Sequence, residues 1–274
     1  MKPAFVILTD LSEAAETALT YTARLVSQLN GRLVLLHVYQ DPLLEHEAHA
    51  GAAPAVLDSR KQIMSQLVRR VRRLAVPAVA ELSAEGLGTA VAEVVRHHHP
   101  LLLALGREHP DTMLDRLIGH QALPILQAAH YPLLLVPEGW TDQALPSRVV
   151  VAADDRPFQL SSSSLALTEL LAALKPTTTV VHVAAGAGAS RADVGLEAVR
   201  RTELFGALNS NSLYEVREET PVEGILHAAA DLQAQLIVVL ARPHTFVGGL
   251  FHRSVTAQVM RRSPLPVLIL PTTT

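Results

Sequence analysis

The sequence predicts an α/β protein made of two tandem, doubly wound parallel sheets of five strands each. Short apolar runs alternate with helical stretches, and such runs are typical of strands buried on both faces. The pattern also occurs twice: "FVILTD" at 5–10 returns as "VVVAADD" at 149–155, and "YPLLLVP" at 131–137 returns as "SPLPVLILP" at 263–271. Strands that alternate with helices indicate a parallel sheet with helices on both faces.

The spacing inside the two copies supports an internal repeat. His37 lies 27 residues after Asp10, and His182 lies 27 residues after Asp155. The segment between the copies, "EGWTDQALPS", has the composition of a loop. We therefore expect two domains, residues 1–138 and 147–274.

The positions of the elements follow from the same patterns. Ser12 is expected to cap the first helix, and Gly31 stands just beyond its end. Strands are expected near residues 4–9, 32–38, 78–82, 101–105 and 132–136, and again near 148–153, 178–183, 213–216, 235–240 and 265–270; further helices of the first copy are expected at 56–75, 88–99 and about 119–130. A ligand of such a sheet lies beyond the strand carboxyl ends, where the winding reverses.

Composition excludes several classes of protein. Of the 274 residues 49% are hydrophobic and 18% charged, with a net charge of −3, which fits a folded protein without a nucleic-acid partner. There is no cysteine, so disulfides, thiolate metal sites and cysteine nucleophiles are excluded. The first apolar run soon meets Asp10 and Glu13, and no run approaches the roughly 18 apolar residues of a membrane span. A cytoplasmic protein without a membrane partner is expected.

Several segments together resemble the universal stress protein family in its tandem two-domain form. They are "VILTDLSEAAETAL", "LLHVY", "EGLGTAVAEVV" and the closing strands "YPLLLVP" and "PLPVLILP". The resemblance implies the strand order 3-2-1-4-5 in each domain and antiparallel pairing of the last strands between domains. It also implies a role in stress survival as a sensor or regulator rather than a catalyst. Many members bind ATP in the crevice between strands 1 and 4.

The family's phosphate loop has the pattern G-x2-G-x9-G-(S/T), and the first copy retains part of it. Gly106 and Gly119 match the outer glycines, whereas His109 replaces the inner glycine and His120 the hydroxyl residue. The two histidines either donate to phosphate in place of the missing groups or close the site. The alternative interpretation is that both glycines only end a strand and open a helix.

The resemblance also assigns the adenine side of the crevice. An acid after strand 1 and a valine after the strand-2 histidine would hold the base, and these are Asp10 and Val38. An equally good interpretation of Asp10 is an acid favoured by the dipole of the first helix.

The second copy departs further from the loop pattern. Leu240 and Pro243 take the first two glycine positions, which removes close backbone approach and one N–H donor. Arg253 and Ser254 take the last two positions, so Ser254 keeps a hydroxyl. The loop is basic and could still hold an anion, but the first copy is expected to be the better residual ATP site.

Other clusters predict no chemistry. His46 and His49 lie in a loop-like stretch, and His97 to His99 cannot all face one metal ion, so no metal site is expected. The arginines of "VRRVRR" at 68–73 are interpreted as a solvated helix face, and the serines at 161–164 as a helix cap. There is no nucleophile elbow, H-E-x-x-H or P-loop, so an enzyme is not expected.

These observations predict a regulatory or ligand-sensing stress-response protein with degenerate nucleotide loops. Two alternatives remain at this point: an ATP-binding switch that works through the first domain, and a nucleotide hydrolase. An adenine nucleotide is the expected small-molecule partner, the two domains are expected to pair within the chain, and the outer surfaces could support a homodimer.

Overall fold

The computed structural model describes residues 2–39, 53–108, 130–142, 144–184, 190–218, 220–242 and 254–273. The first half of the chain contributes β1 (Ala4–Leu8), α1 (Glu13–Gln28), β2 (Arg32–Val38), α2 (Ala53–Val71), β3 (Ala78–Ser83), α3 (Leu87–His98), β4 (Leu102–Arg107) and β5 (Leu133–Pro137). Each strand lies within two residues of its predicted position. The helix predicted at 119–130 falls almost entirely outside the described residues.

The second half repeats this order, and within the described ranges its helices are more numerous and shorter. It contributes β6 (Arg148–Ala152), α4 (Ser162–Leu165), α5 (Thr168–Leu174), β7 (Thr177–Ala184), α6 (Ala192–Arg200), β8 (Leu213–Arg217), α7 (Pro221–Asp231), β9 (Leu236–Ala241), α8 (Val255–Arg262) and β10 (Val267–Pro271). A short 3-10 helix, Ser210–Ser212, precedes β8. Where α1 is one helix of 16 residues, the second half has the pair α4 and α5.

All ten strands form one sheet, in the order β3-β2-β1-β4-β5-β10-β9-β6-β7-β8. Within each half the neighbours are parallel, and the order is 3-2-1-4-5. At the centre β5 and β10 pair antiparallel, with Leu134 opposite Leu268. The predicted fold class, with pairing through the last strands, is confirmed.

Alternate residues of the strands fill two hydrophobic cores, one on each face of the sheet. One core contains Val6 and Val34 together with Ile269, and the other contains Phe5 together with Leu268. Each core therefore includes side chains of both halves. Since burial of apolar area is the main favourable term in folding, the two halves stabilise each other through these shared cores.

The first helix begins and ends through local hydrogen bonds. Ser12 caps it as predicted, because its Oγ accepts a hydrogen bond of 3.2 Å from the Ala15 N–H. At the other end the left-handed residue is Asn30, with φ 48°, rather than Gly31. Gly31 is needed for a different reason: a Cβ there would lie 2.8 Å from the carbonyl oxygen of Pro3.

A buried arginine joins the two halves. Arg107, at the end of β4, is only 6% exposed. Its guanidinium donates to the carbonyl oxygens of Arg261, at 2.6 Å, and of Ser263, at the carboxyl end of α8. Burial lowers the pKa of Arg107, while the helix end supplies the partial negative charge that suits a cation. This contact fixes α8 of the second half against β4 of the first.

Candidate functional site

The winding of the sheet reverses between β1 and β4 in the first half, and between β6 and β9 in the second. Ligands of doubly wound sheets lie at this point, beyond the carboxyl ends of the strands. Each half has a cavity there. We call the first-half cavity the crevice and the second-half cavity the cleft.

Hydrogen bonds show which acids are equivalent in the two halves. The Thr9 N–H donates to the Leu36 carbonyl at 2.9 Å, and the Ala153 N–H donates to the Val181 carbonyl at 3.0 Å. The residues that follow Thr9 and Ala153 are Asp10 and Asp154, so the equivalent of Asp10 is Asp154.

Two further contacts agree with this equivalence. Oδ1 of Asp10 accepts from the N–H two residues on, and Oδ1 of Asp154 does the same. The ring of His37 bonds the Thr9 carbonyl at 2.6 Å, as the ring of His182 bonds the Ala153 carbonyl at 3.2 Å. The 27-residue spacing that paired Asp10 with Asp155 was therefore misleading, because the second half has one more residue between the acid and the histidine.

The crevice brings together three of the predicted residues. Asp10, Val38 and Gly106 all line it, and its volume is about 70 Å³. Glu108, which was not predicted, lines it as well, so two carboxylates face this space. His109, Gly119 and His120 lie outside the described residues.

The packing of α1 explains both the small volume and the glycine. A Cβ on Gly106 would lie 2.2 Å from the carbonyl carbon and oxygen of Ala14 and 2.6 Å from the Ala15 nitrogen. The first turn of α1 therefore rests directly on the end of β4. Only glycine fits at this position, and this requirement is independent of any phosphate.

The second half lacks this contact, and its cavity is much larger. Leu240 takes the place of Gly106, since Val239 pairs with Ala152 as Leu105 pairs with Leu8. The capping serine follows Asp10 by two residues in the first half, but Asp154 by seven residues in the second. The helix thus begins five residues later, and the cleft has a volume of about 670 Å³.

Basic side chains distinguish the cleft from the crevice. Arg156, Arg191 and Arg242 line it together with Asp154 and Asp155. By its position after β9, Arg242 is the equivalent of the acidic Glu108. The crevice is therefore acidic and the cleft is rich in arginine, which suits an anion.

Asp154 pairs with two of the three arginines that line the cleft. Its Oδ1 lies 2.9 Å from an Arg242 guanidinium nitrogen, and its Oδ2 lies 2.9 Å from that of Arg156. Arg242 also donates to the Pro157 carbonyl, which ties the loop after β6 to the end of β9. Burial raises the pKa of Asp154, but the hydrogen bonds from Arg242 and the Arg156 N–H outweigh it, so the net shift is downward and the carboxylate is ionised.

Ser254, the hydroxyl residue predicted for the second half, lies on the cleft wall. It is the N-cap of α8, and its Oγ accepts a 3.1 Å hydrogen bond from the Ala257 N–H. The hydroxyl proton is still available to a ligand. Pro243 and Arg253 lie outside the described residues.

Sequence reasoning missed Arg156, Arg191 and the size of the cleft. The available signal was the distance from "AADD" at 152–155 to the serines at 161–164, which is longer than the same distance in the first half. Arg191 follows residues 185–189, which lie outside the described part, and its guanidinium lies 3.2 Å from Asp155. These arginines are far apart in sequence and meet only through the fold.

Where they are described, the other polar clusters make structural contacts. His98 lies 2.5 Å from a carboxylate oxygen of Glu81 and accepts from Arg32, and Arg70 of the basic run pairs with Glu16. Among the described residues no group of three or more histidine, aspartate or glutamate side chains is arranged to hold a metal. His46 and His49 lie outside that part. Ser161 caps α4, as predicted.

Comparison with known proteins identifies the family. The sequence pattern of the universal stress protein family matches twice, at residues 4–137 and 146–271. Comparison with curated proteins gave no significant match.

Solved structures agree in fold over nearly the whole chain. A universal stress protein from Archaeoglobus fulgidus DSM 4304 is 18% identical, with 97% of each chain covered and a TM-score of 0.69. A putative universal stress protein from Pseudomonas aeruginosa UCBPP-PA14 is 18% identical, covering 99% of this chain and 94% of its own, with a TM-score of 0.59. A functionally unknown protein from P. aeruginosa PAO1 is 16% identical, covering 99% and 93%, with a TM-score of 0.58. At these identities the likeness concerns the fold alone.

No helix within the described ranges is long and apolar enough to cross a membrane.

Proposed function

Because the chain belongs to the universal stress protein family, we propose that it is a stress-response protein that senses a small anionic ligand in the cleft of its second half. The observation that carries this proposal is the cleft itself. It has about 670 Å³ at the switch point of the sheet, against about 70 Å³ for the first-half crevice. Small-molecule sites span roughly 300–1,000 Å³.

The lining of the cleft favours an adenine nucleotide. Arg156, Arg191 and Arg242 supply guanidinium groups at its wall, and arginine matches the geometry of phosphate oxygens. Val183 and Ile225 supply apolar surface against which a base can pack. Such a combination of an apolar surface with few charged groups is typical of nucleotide-sized sites.

The ion pairs of Asp154 suggest how binding is sensed. Asp154 is shared by Arg156 and Arg242, and Arg242 holds the loop after β6 against the end of β9. A phosphate that enters the cleft competes with Asp154 for these guanidinium groups. The loop then changes its position relative to β9, and this change is the signal a partner would recognise.

Titration calorimetry with AMP and with ATP and Mg²⁺ tests the proposal. We expect saturable binding to the full chain and at least tenfold weaker binding by Arg191→Gln. The matched control is Arg201→Gln, an exposed arginine at the other end of α6 that pairs with Glu197. No heat from either nucleotide at millimolar concentration would rule the proposal out.

A second candidate is an ATP-binding switch in the first half, one of the two alternatives that the sequence leaves open. It is favoured by the meeting of Asp10, Val38 and Gly106 around one crevice. Its small volume and the carboxylates of Asp10 and Glu108 count against it. The double variant His109→Gly, His120→Ser restores the family pattern, and we expect it to gain ATP binding that the parent lacks if the histidines close this site.

We propose a regulatory rather than a catalytic role, in keeping with the family. Phosphate release from ATP in the presence of the full chain is expected to match release in buffer. Release that exceeds buffer and is lost in Asp154→Asn would instead support the nucleotide hydrolase.

A further inference from the structure

A second cavity of the second half lies at the opposite edge of the sheet. We call it the amino-edge pocket, because it is lined by Thr177 and Thr178 at the start of β7 and by Ser212 just before β8. The cleft, by contrast, lies beyond the carboxyl ends of the strands. The amino-edge pocket has a volume of about 440 Å³, within the roughly 300–1,000 Å³ of small-molecule sites.

A longer connection creates this pocket. The first half joins α2 to β3 with six residues, 72–77, whereas the second half joins α6 to β8 with twelve, 201–212. Leu204 and Phe205 of this connection are buried, and both line the pocket. Gly206, which follows them, has φ 72°. The longer connection is thus packed against the rest of the protein and forms one wall of the pocket.

The base of the pocket carries a polar group that has no partner. Thr178 is 7% exposed, and its hydroxyl oxygen is among the buried side-chain atoms without a hydrogen bond in the described part of the chain. Strand pairing places Leu33 at the equivalent position of the first half, fully buried. A buried hydroxyl without a partner costs free energy, and the first half avoids that cost with an apolar side chain at the same position.

The rim carries two opposite charges. Lys175 and Glu203 line the pocket and are exposed, and both have left-handed backbone, with φ 48° and 55°. Both are exposed at the rim, and no ion pair joins them among the described residues. A molecule that satisfies both must carry a carboxylate and an ammonium group, and the walls of Leu204 and Phe205 require an apolar body.

We propose that the amino-edge pocket binds a free α-amino acid with a large apolar side chain. The carboxylate lies at Lys175, the ammonium group at Glu203, and the side chain against Phe205. This site is separate from the cleft and does not depend on the proposed function of the cleft.

Calorimetry with three probes tests this assignment on the full chain: L-phenylalanine, 3-phenylpropanoate, which lacks the amine, and 2-phenylethylamine, which lacks the carboxylate. We expect L-phenylalanine to bind at least tenfold more tightly than either analogue. Lys175→Asn should weaken the binding of L-phenylalanine and of 3-phenylpropanoate, and leave the binding of 2-phenylethylamine unchanged. Glu203→Asn should weaken the binding of L-phenylalanine and of 2-phenylethylamine, and leave the binding of 3-phenylpropanoate unchanged. Asparagine is chosen because it tolerates left-handed backbone.

Two control variants separate this site from others. Lys61→Gln removes an exposed lysine of α2, and Arg191→Gln alters the cleft; both should leave L-phenylalanine binding unchanged. The assignment is overturned if L-phenylalanine gives no saturable heat at millimolar concentration, or if 3-phenylpropanoate binds as well as L-phenylalanine. It is also overturned if neither Lys175→Asn nor Glu203→Asn changes the affinity for L-phenylalanine.

Discussion

The two halves of this chain have the same strand order but differ in how the first helix meets the sheet. In the first half α1 begins just after Asp10 and rests on Gly106. In the second half the helix begins later, and Leu240 stands where the glycine would be. Loss of the glycine therefore accompanies a larger cavity. The later start of the helix goes together with the larger space at the switch point.

The largest expected effect comes from disrupting the close contact between α1 and β4. Gly106→Ala places a methyl group 2.2 Å from the Ala14 carbonyl, so α1 must move or the strand must bend. We expect a loss of about 3 kcal/mol in the free energy of unfolding, measured by urea denaturation. Gly86→Ala is the control, because its Cβ meets nothing within 4 Å, and it should cost under about 1 kcal/mol. Equal losses would mean that this contact does not distinguish the halves.

The next effect tests the contact between the halves. Arg107→Met leaves the carbonyl oxygens of Arg261 and Ser263 without their donor in a buried place. Urea denaturation should show a loss of about 2 kcal/mol, because unsatisfied buried acceptors are costly. The exposed Arg201→Met should change stability by less than about 0.5 kcal/mol. If Arg107→Met lowers the free energy of unfolding no more than Arg201→Met does, Arg107 does not stabilise the contact between the halves.

Thr178 offers a smaller effect of the opposite sign. Thr178→Val replaces the unpartnered hydroxyl with a methyl group at the position that Leu33 fills in the first half. Thermal or urea unfolding should show a gain of about 1 kcal/mol. Thr177→Val, at the exposed neighbouring position, should stay within about 0.5 kcal/mol of the parent. A loss of stability would show that the hydroxyl has a partner in solution.

The smallest effect concerns the charge of the cleft and depends on pH. The net downward shift in the pKa of Asp154 means that its stabilising contribution is present above the unfolded value of about 4 and is lost as the pH falls through the lower folded value. Because the side chain is 40% exposed, Asp154→Asn should cost only about 0.5 kcal/mol at pH 7. Once the pH is below the folded pKa, that cost should vanish.

The matched control for this variant is in the first half. Asp10→Asn keeps an oxygen for the Ser12 N–H and lies in a crevice lined by Glu108 rather than by an arginine. We expect it to cost less at pH 7 than Asp154→Asn. If both substitutions cost the same at every pH, the arginines of the cleft do not stabilise Asp154.

The sequence predicted the elements well and the site only in part. Strand positions follow from buried apolar runs. Ser12 and Ser161 mark the starts of their helices in the sequence, because capping is a local interaction. The equivalence of Asp10 with Asp154 was not accessible, since one added residue shifts the spacing while the strand pairing stays the same.

The size of the cleft could not be predicted for a related reason. From the sequence, Leu240 was interpreted only as the loss of a close backbone approach. The volume of the cleft also depends on how the helices pack beyond the strand ends, and that packing joins segments far apart in sequence. The same holds for the meeting of Arg191 with Arg242, because Arg191 follows β7 and Arg242 follows β9, and the two come together only when both strands pair with β6.

The contact of Arg107 with the end of α8 makes the two halves unequal partners. The equivalent position in the second half is Ala241, so a pair of second halves would lack this contact altogether. If the halves were produced as separate chains, a second half would be expected to pair with a first half rather than with another copy of itself. At this contact the two copies of the architecture are no longer interchangeable.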